Sequence, residues 1–460
     1  MPCALAAGTM RHPTIYLALT SIACGLLYAC ASGTGSGAGS GDDAQAPEGG
    51  VAIEGGTADT APPPVADSGS STSPDTGSAP DSGTVDTGTT VSADAEAGAG
   101  MDAGDAGPVA VAVAAGDRHT CAIRTNRTVA CWGANDSGQL GDGTTTVSPW
   151  PVNVQGVTSA TQIAAGWSHT CALIQGGTVM CWGHGANGDL GNGASNQSTT
   201  AVAVTGLTDA TAIGVDGYHA CALRMGGAVV CWGYGQDGEL GNGAAADSNL
   251  PVAVTGITTA VALGVGSGQD CAVLSDHSVT CWGDNQYGGL GNGSSAATST
   301  VPVAVIGATS ASSLAGGIVG ECALSMSGTV SCWGYGPDGE LGNGASANAA
   351  TPVSVTGVSG AQALGAGWYH TCAIPGSGKV QCWGMGTSGQ LGNGNTASSN
   401  LPVNVLGLTG ATQVTGGQSH TCALAGGIVW CWGDESNGAL GNGVSTTGSS
   451  AMPVQVQQLF

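Results

Sequence analysis

Cys171-Ala172-Leu173-Ile174-Gln175-Gly176-Gly177-Thr178-Val179-Met180-Cys181-Trp182-Gly183, followed by Leu190-Gly191-Asn192-Gly193, is the stretch that decides the fold. The pattern occurs seven times, with Cys-Trp-Gly beginning at Cys131, Cys181, Cys231, Cys281, Cys332, Cys382 and Cys431. A fixed period of about 50 residues marks a repeat architecture, in which each unit buries its apolar face only by stacking on the next. Within a unit, a short apolar run ending in Gly (Gln162 to Gly166) is the first strand. His169 to Leu173 is the second and Val179 to Gly183 the third. A long Gly-rich loop leads to a fourth, the Pro-Val-x-Val of Pro151 to Val154. Alternation at period two with turn residues between the runs specifies strands. Seven four-stranded units around an axis predict an all-β chain, a seven-bladed propeller that leaves only short sheet edges. Pro453-Val454-Gln455-Val456 completes the seventh unit.

Each unit carries two cysteines, ten apart in six units and nine apart in the last, Cys422 and Cys431. Hairpin geometry accommodates both spacings. Opposing Cys171 and Cys181 leaves a three-residue loop, Gln175-Gly176-Gly177; opposing Cys422 and Cys431 leaves Gly426-Gly427, suited to a two-residue primed turn. Directly opposed residues on antiparallel strands lie roughly 4.5–5.5 Å apart at Cα, within disulfide reach. The expected pairs are Cys121–Cys131, Cys171–Cys181, Cys221–Cys231, Cys271–Cys281, Cys322–Cys332, Cys372–Cys382 and Cys422–Cys431. The alternative is seven pairs of buried thiols. Two thiolates per unit, with no nearby Cys-x-x-Cys, give zinc no ligand set, so no metal or cofactor is expected.

The units resemble repeats of the regulator of chromosome condensation family, whose signature is His-x-x-Ala-Leu, Val-x-x-Trp-Gly and Gly-Gln-Leu-Gly. Gly138-Gln139-Leu140-Gly141 and Gly389-Gln390-Leu391-Gly392 match the last element letter for letter. The resemblance covers about 108–460 and implies the propeller. Because one fold hosts many activities, it implies function weakly. The family includes nuclear guanine-nucleotide exchange factors, a plant ultraviolet receptor and a secreted bacterial inhibitor of β-lactamase. The paired cysteines depart from its eukaryotic pattern.

Thirty acidic residues stand against 6 Lys and Arg, a formal charge of −24. That balance disfavours nucleic acid, whose phosphates are held by cations. Near the N-terminus, Arg11 and His12 precede an apolar run, Ile15 to Leu27, too short for a comfortable membrane span. This is the pattern of an export signal, over 1–30. Its end, Leu27-Tyr28-Ala29-Cys30, resembles a bacterial lipobox with Cys30 as the lipidated residue; Cys24 is a second candidate, and Met10 an alternative start. Ala31 after the cysteine resembles the pattern of lipoproteins forwarded to the outer membrane or cell surface. Residues 31–107 contain thirteen acids and no Lys or Arg among Gly, Ser, Thr, Ala, Pro and Asp. Such a segment buries too little apolar surface to offset its ordering entropy, so a disordered acidic tether is expected ahead of the propeller at 108–460.

With alternating strand directions, the first–second and third–fourth loops emerge on one face and the second–third hairpins on the other. The first of these loops carries two variable residues before the repeat His, including Trp167, Tyr218, Trp368 and Tyr369. The residue after Trp-Gly also varies and includes His184, Tyr234 and Tyr335. Asp136, Asp237, Glu239, Asp338, Glu340 and Glu435 lie in neighbouring loops. Exposed Trp and Tyr anchor binding surfaces, so these seven ring-bearing residues are the candidate ligand contacts; the alternative is rings that cap blade ends. The repeat His (His119, His169, His219, His370 and His420) is read as scaffold, because a side chain repeated around a propeller serves the fold. Units four and five replace the pattern with Gln269-Asp270 and Gly320-Glu321, a carboxylate pair or drift. The expected function is a non-enzymatic envelope module binding a protein or a polysaccharide. The competing readings are a glycan-acting envelope enzyme using carboxylates on that face, and an exchange factor by family analogy.

Overall fold

The computed structural model describes residues 109–318 and 320–459. The signal segment, the tether, Met10, Cys24 and Cys30 lie outside them, and the described residues belong to one unit, Glu96–Phe460. Seven four-stranded antiparallel sheets follow one another, each built from four strands consecutive in the chain. In blade 2 these are Ala160–Ala165, His169–Ile174, Val179–Gly183 and Ser198–Ala203. The second and third strands fall where the alternation puts them. The outer strand starts earlier than Pro-Val-x-Val suggests: in blade 1 it is Ser148–Asn153, because Ser148 already pairs with Gly133. Its prolines are tolerated at an edge, where a missing N–H leaves no neighbour unpaired. Blade 7 closes with Ser449–Gln455, which again starts ahead of the last Pro-Val-x-Val and stops one residue short of its end.

The core lies in the seams between blades. Leu173, Val179 and Leu190 of blade 2 pack with Ile213, Ala222 and Trp232 of blade 3, and the same arrangement recurs at each junction. At the closing seam, Ala110, Val113 and Trp132 of blade 1 pack on Leu424, Val429 and Leu440 of blade 7. Each repeat Trp is fully buried, and its indole N–H donates to a loop carbonyl of the preceding blade: Trp182 to Gln139 at 2.9 Å, Trp432 to Gln390 at 2.8 Å, and Trp132 back to Ala439 at 2.9 Å. The third-to-outer pairing slips between Cys181 and Gly183, a bulge at the Trp. Close approach also explains the Gly after the repeat Leu. Gly191 has φ +62°, and a Cβ there would meet the Trp232 ring at 2.9 Å.

All seven within-repeat disulfides are present, with Cα separations of 4.0–4.1 Å, slightly inside the spacing expected for an unbridged pair. Cys171 opposes Cys181 and Cys422 opposes Cys431, so the one-residue deletion in the last unit falls in the turn. Among the described residues no helix is long and apolar enough to cross a membrane.

Candidate functional site

The first strands of the seven blades line a central channel of about 450 Å³. Their following loops meet at one mouth. Backbone hydrogen bonds pass from loop to loop there, such as Trp167 N–H to Gly217 O (3.2 Å), Trp368 N–H to Gly417 O (3.2 Å) and Gln418 N–H to Asp117 O (3.1 Å). On this collar stand the rings. Trp167 of blade 2 and Trp368 of blade 6, which are not neighbouring blades, approach to 5.0 Å between centroids and therefore reach across the mouth. Trp167 also meets Tyr218 edge-on at 4.8 Å, and Tyr218 meets His184 at 4.9 Å. From Trp368 the contacts continue to Tyr369 (6.4 Å), from Tyr369 to Tyr335 (6.0 Å), and from Tyr335 to Tyr287 (5.1 Å). Six of the seven ring-bearing candidates thus form one continuous, half-buried aromatic band with Tyr287. Tyr234 turns its hydroxyl to Asp237 Oδ2 at 3.1 Å. The Trp167 indole N–H donates to Ser267 Oγ of blade 4 (3.1 Å), whose hydroxyl donates to Asp216 Oδ1 (2.9 Å). The rings therefore cap the channel as well as present an outer surface. Tyr287 was missed from the sequence; its signal is an aromatic where the other units have Ser137, Asn187, Asp237, Asp338, Ser388 and Asn437.

Beneath the collar runs a buried ring that joins neighbouring blades. His119 Nε2 lies 2.8 Å from Thr170 Oγ1, His370 Nε2 2.7 Å from Thr421 Oγ1, and His420 Nε2 2.9 Å from Thr120 Oγ1. Each Thr hydroxyl donates onward to a carbonyl: Thr170 to Gln139 at 3.1 Å, Thr421 to Gln390 at 2.7 Å and Thr120 to Ala439 at 3.1 Å. The hydroxyl proton being spent there, each imidazole must donate from Nε2. Burial suits a neutral ring, holding His119 and His370 down to about 3 and His420 to about 4. These histidines tie neighbouring blades together.

The ring breaks in the middle blades. His169 faces a position filled by Ala220, and neither of its ring nitrogens has a hydrogen-bond partner. His219 instead pairs with the carboxylate of Asp270, both oxygens at 3.0 Å. Burial opposes its charge, but Asp270 outweighs that and pushes His219 up to about 9. Asp270 and Glu321 are 0% and 2% exposed, so these two carboxyls are buried and not presented on the ringed face. Burial drives Glu321 well above the usual carboxylate range, and the nearby charges of Asp270 and Asp216 add to it.

The profile of the RCC1-like domain matches residues 101–411. The chain belongs to the RCC1-like domain family. Among solved structures it is similar to human WBSCR16, at 22% identity over 69% of this chain and 86% of that one, with a TM-score of 0.62. It is also similar to yeast RCC1 (Prp20) bound to Kap60, at 19% identity over 76% of this chain and 85% of that one, with a TM-score of 0.64. Prp20p of Saccharomyces cerevisiae, described with its binding to Gsp1p and histones, gives 19% identity, 76% and 88% coverage, and 0.62. At these identities the likeness is one of fold. No curated protein matches the chain.

The ringed face of this RCC1-like propeller is acidic, but two of its expected acids are withdrawn. Glu239 is fully buried and Glu340 8% exposed, and burial pushes both up to about 8. Asp117 at the collar and Asp216 in the channel wall are likewise pushed up to about 6 by burial. Asp136 is exposed, and Asp338 and Glu435 are partly so. At this rim Arg118 lies 3.2 Å from Asp117. His184 pairs with buried Asp189. His219, Cys221 and Asp270 cluster within 4.8 Å, but the Cys221 sulfur is bonded to Cys231, leaving no thiolate for a metal.

Proposed function

We propose that this RCC1-like chain is an exported, lipid-anchored, non-enzymatic binding module of the cell envelope. Its aromatic and acidic face docks a protein ligand. The observation that carries this reading is the continuous band from His184 through Trp167 and Trp368 to Tyr287, built at loop positions that the repeat does not fix. Rigid aromatic rings bury much area for little lost rotamer freedom, which is why they anchor interfaces. The acidic rim favours a basic partner through electrostatic complementarity. Seven disulfides support an oxidising compartment, in keeping with the signal-like segment that ends at Cys30.

The test is capture from envelope extract by the wild-type protein beside Trp368→Ala and Tyr369→Ala variants. A ligand retained by the wild type and weakened at least tenfold by each variant, about 1.4 kcal/mol, supports the face. Retention by both variants places the site elsewhere. Loss of the captured species to glycosidase but not protease would assign the face to polysaccharide. Incorporation of labelled lipid, abolished by Cys30→Ser, tests the anchor separately.

A further inference from the structure

Blade 5 lacks the repeat imidazole. In blades 1, 6 and 7 the ring lies against the Gly that follows the first strand, so that a Cβ on Gly116, Gly367 or Gly417 would meet His119, His370 or His420 at 2.4, 2.3 and 2.3 Å. At the matching Gly317 the nearest atoms are backbone, the closest being Gly367 O at 3.0 Å, because Gly320 stands in the His position. The vacated space is a cavity of about 20 Å³, room for one water-sized group. Glu340, Thr371, Tyr335 and Trp368 are among the residues that line it. Thr371, with no imidazole to accept from, sits 3.8 Å from the Cys322 sulfur. Glu340 is 8% exposed; its Oε2 accepts from Asp338 N–H at 3.0 Å, while Oε1 is buried with no hydrogen-bond partner.

An unpaired buried carboxyl oxygen asks for a partner, and once the group gives up its proton a cation satisfies it most strongly. The rings of Tyr335 and Trp368 at the same cavity favour a cation over a neutral donor. We propose that the Gly320 cavity is a subsite for a single primary ammonium, the tip of a lysine side chain on the protein that docks on the aromatic face. This deepens the reading of that face and rests on it. The size of the cavity favours a compact ligand: room for one water-sized group suits an ammonium better than the broader planar guanidinium of arginine.

The probe is acetyl-Gly-Gly-Lys-Gly-Gly-amide, titrated calorimetrically into the full exported chain beside its Nε-acetyl-lysine and arginine counterparts. Binding of the lysine peptide at least tenfold tighter than either counterpart is expected. Glu340→Gln keeps the shape and removes the charge, so it should lose that tenfold preference while melting within a degree or two of the wild type. Because burial holds Glu340 up to about 8, the ammonium should displace its proton at pH 7. Titrations in buffers of different ionisation enthalpy read this release, and Glu340→Gln should abolish it. Glu321, which lines the same cavity with both carboxyl oxygens unpaired, and Asp338, Tyr335, Tyr369 and His370 are the other titratable groups near this carboxyl. Equal affinity for the acetylated peptide, no binding of the lysine peptide, or an unchanged preference in Glu340→Gln would overturn the subsite. If the envelope ligand is still lost from Trp368→Ala in that case, the aromatic face stands and the cavity alone is misread.

Discussion

The His–Thr ring contains its own control, because one junction is built without the hydroxyl. Ala220 occupies the place of Thr170, Thr421 and Thr120, and leaves His169 buried with both nitrogens unpaired. Ala220→Thr should restore the missing bond. The new hydroxyl has an acceptor in position, since Asp189 O already receives the Trp232 indole (2.9 Å), as Gln139 O receives both Trp182 and Thr170. A buried hydrogen bond is worth about 0.5–1.5 kcal/mol net, and an unsatisfied buried group costs about 1–3 kcal/mol. Ala220→Thr should therefore stabilise by about 1 kcal/mol, and Thr170→Ala should destabilise by about 2 kcal/mol by orphaning His119. Average unfolding entropy per residue makes 1 kcal/mol about 1.5 °C for a unit of roughly 350 residues. The expected shifts are thus about +1.5 and −3 °C. The assay is calorimetry at pH 7 with disulfides intact, with guanidinium denaturation as a second measure. An Ala220→Thr protein that melts lower, together with a Thr170→Ala protein that melts like the wild type, would refute the claim that these bonds hold the blades together.

Stability should also vary with pH in a defined sense. Asp117, Asp216, Glu239 and Glu340 have folded pKa values of about 6, 6, 8 and 8, raised by burial, so the folded state holds their protons more tightly and stability falls as pH rises toward 8. His219, held up to about 9, acts in the same direction above its unfolded value. The buried neutral His119, His169, His370 and His420, at about 3, 4, 3 and 4, act oppositely: the unfolded chain binds their protons first as pH drops through about 6.5. The melting temperature should peak between about pH 4.5 and 6.5 and decline to either side; a steady rise from pH 6 to 8 would contradict this. Peptide mapping of unreduced protein should recover links within repeats, such as Cys221–Cys231. Replacing Cys171 and Cys181 together by Ala should cost about 2–3 kcal/mol in chemical denaturation; links between repeats would show the register to be wrong.

Much of the architecture was legible because it is periodic. Cys171, Cys181 and Trp182 recur at a spacing that only a stacked four-stranded unit explains, and turn lengths between paired cysteines set the hairpin register. The rings of the candidate face were legible for the opposite reason: Trp167, Tyr218, Trp368 and Tyr369 stand out where the pattern sets no residue. Glu239 and Glu340 lie in the loops where the sequence puts them, but their burial was not legible there. Sequence does not say that the loop folds back so that these carboxyls lie under it.

By itself, the sequence determined the number of blades, the strands within each and the partner of every repeat cysteine, since these follow from local alternation and turn length. Tertiary structure alone decided which residues meet across the axis. Trp167 and Trp368 are 201 positions apart, yet closure of the ring brings them into contact over the channel. His219 found Asp270, while His169 found Ala220 and no partner, for the same reason: a blade's second strand faces the next blade, 50 residues on. The cavity at Gly320 likewise exists only because a missing imidazole leaves a gap between two blades that cannot close. Rigid, close-packed seams transmit the period faithfully but do not collapse around a single lost side chain.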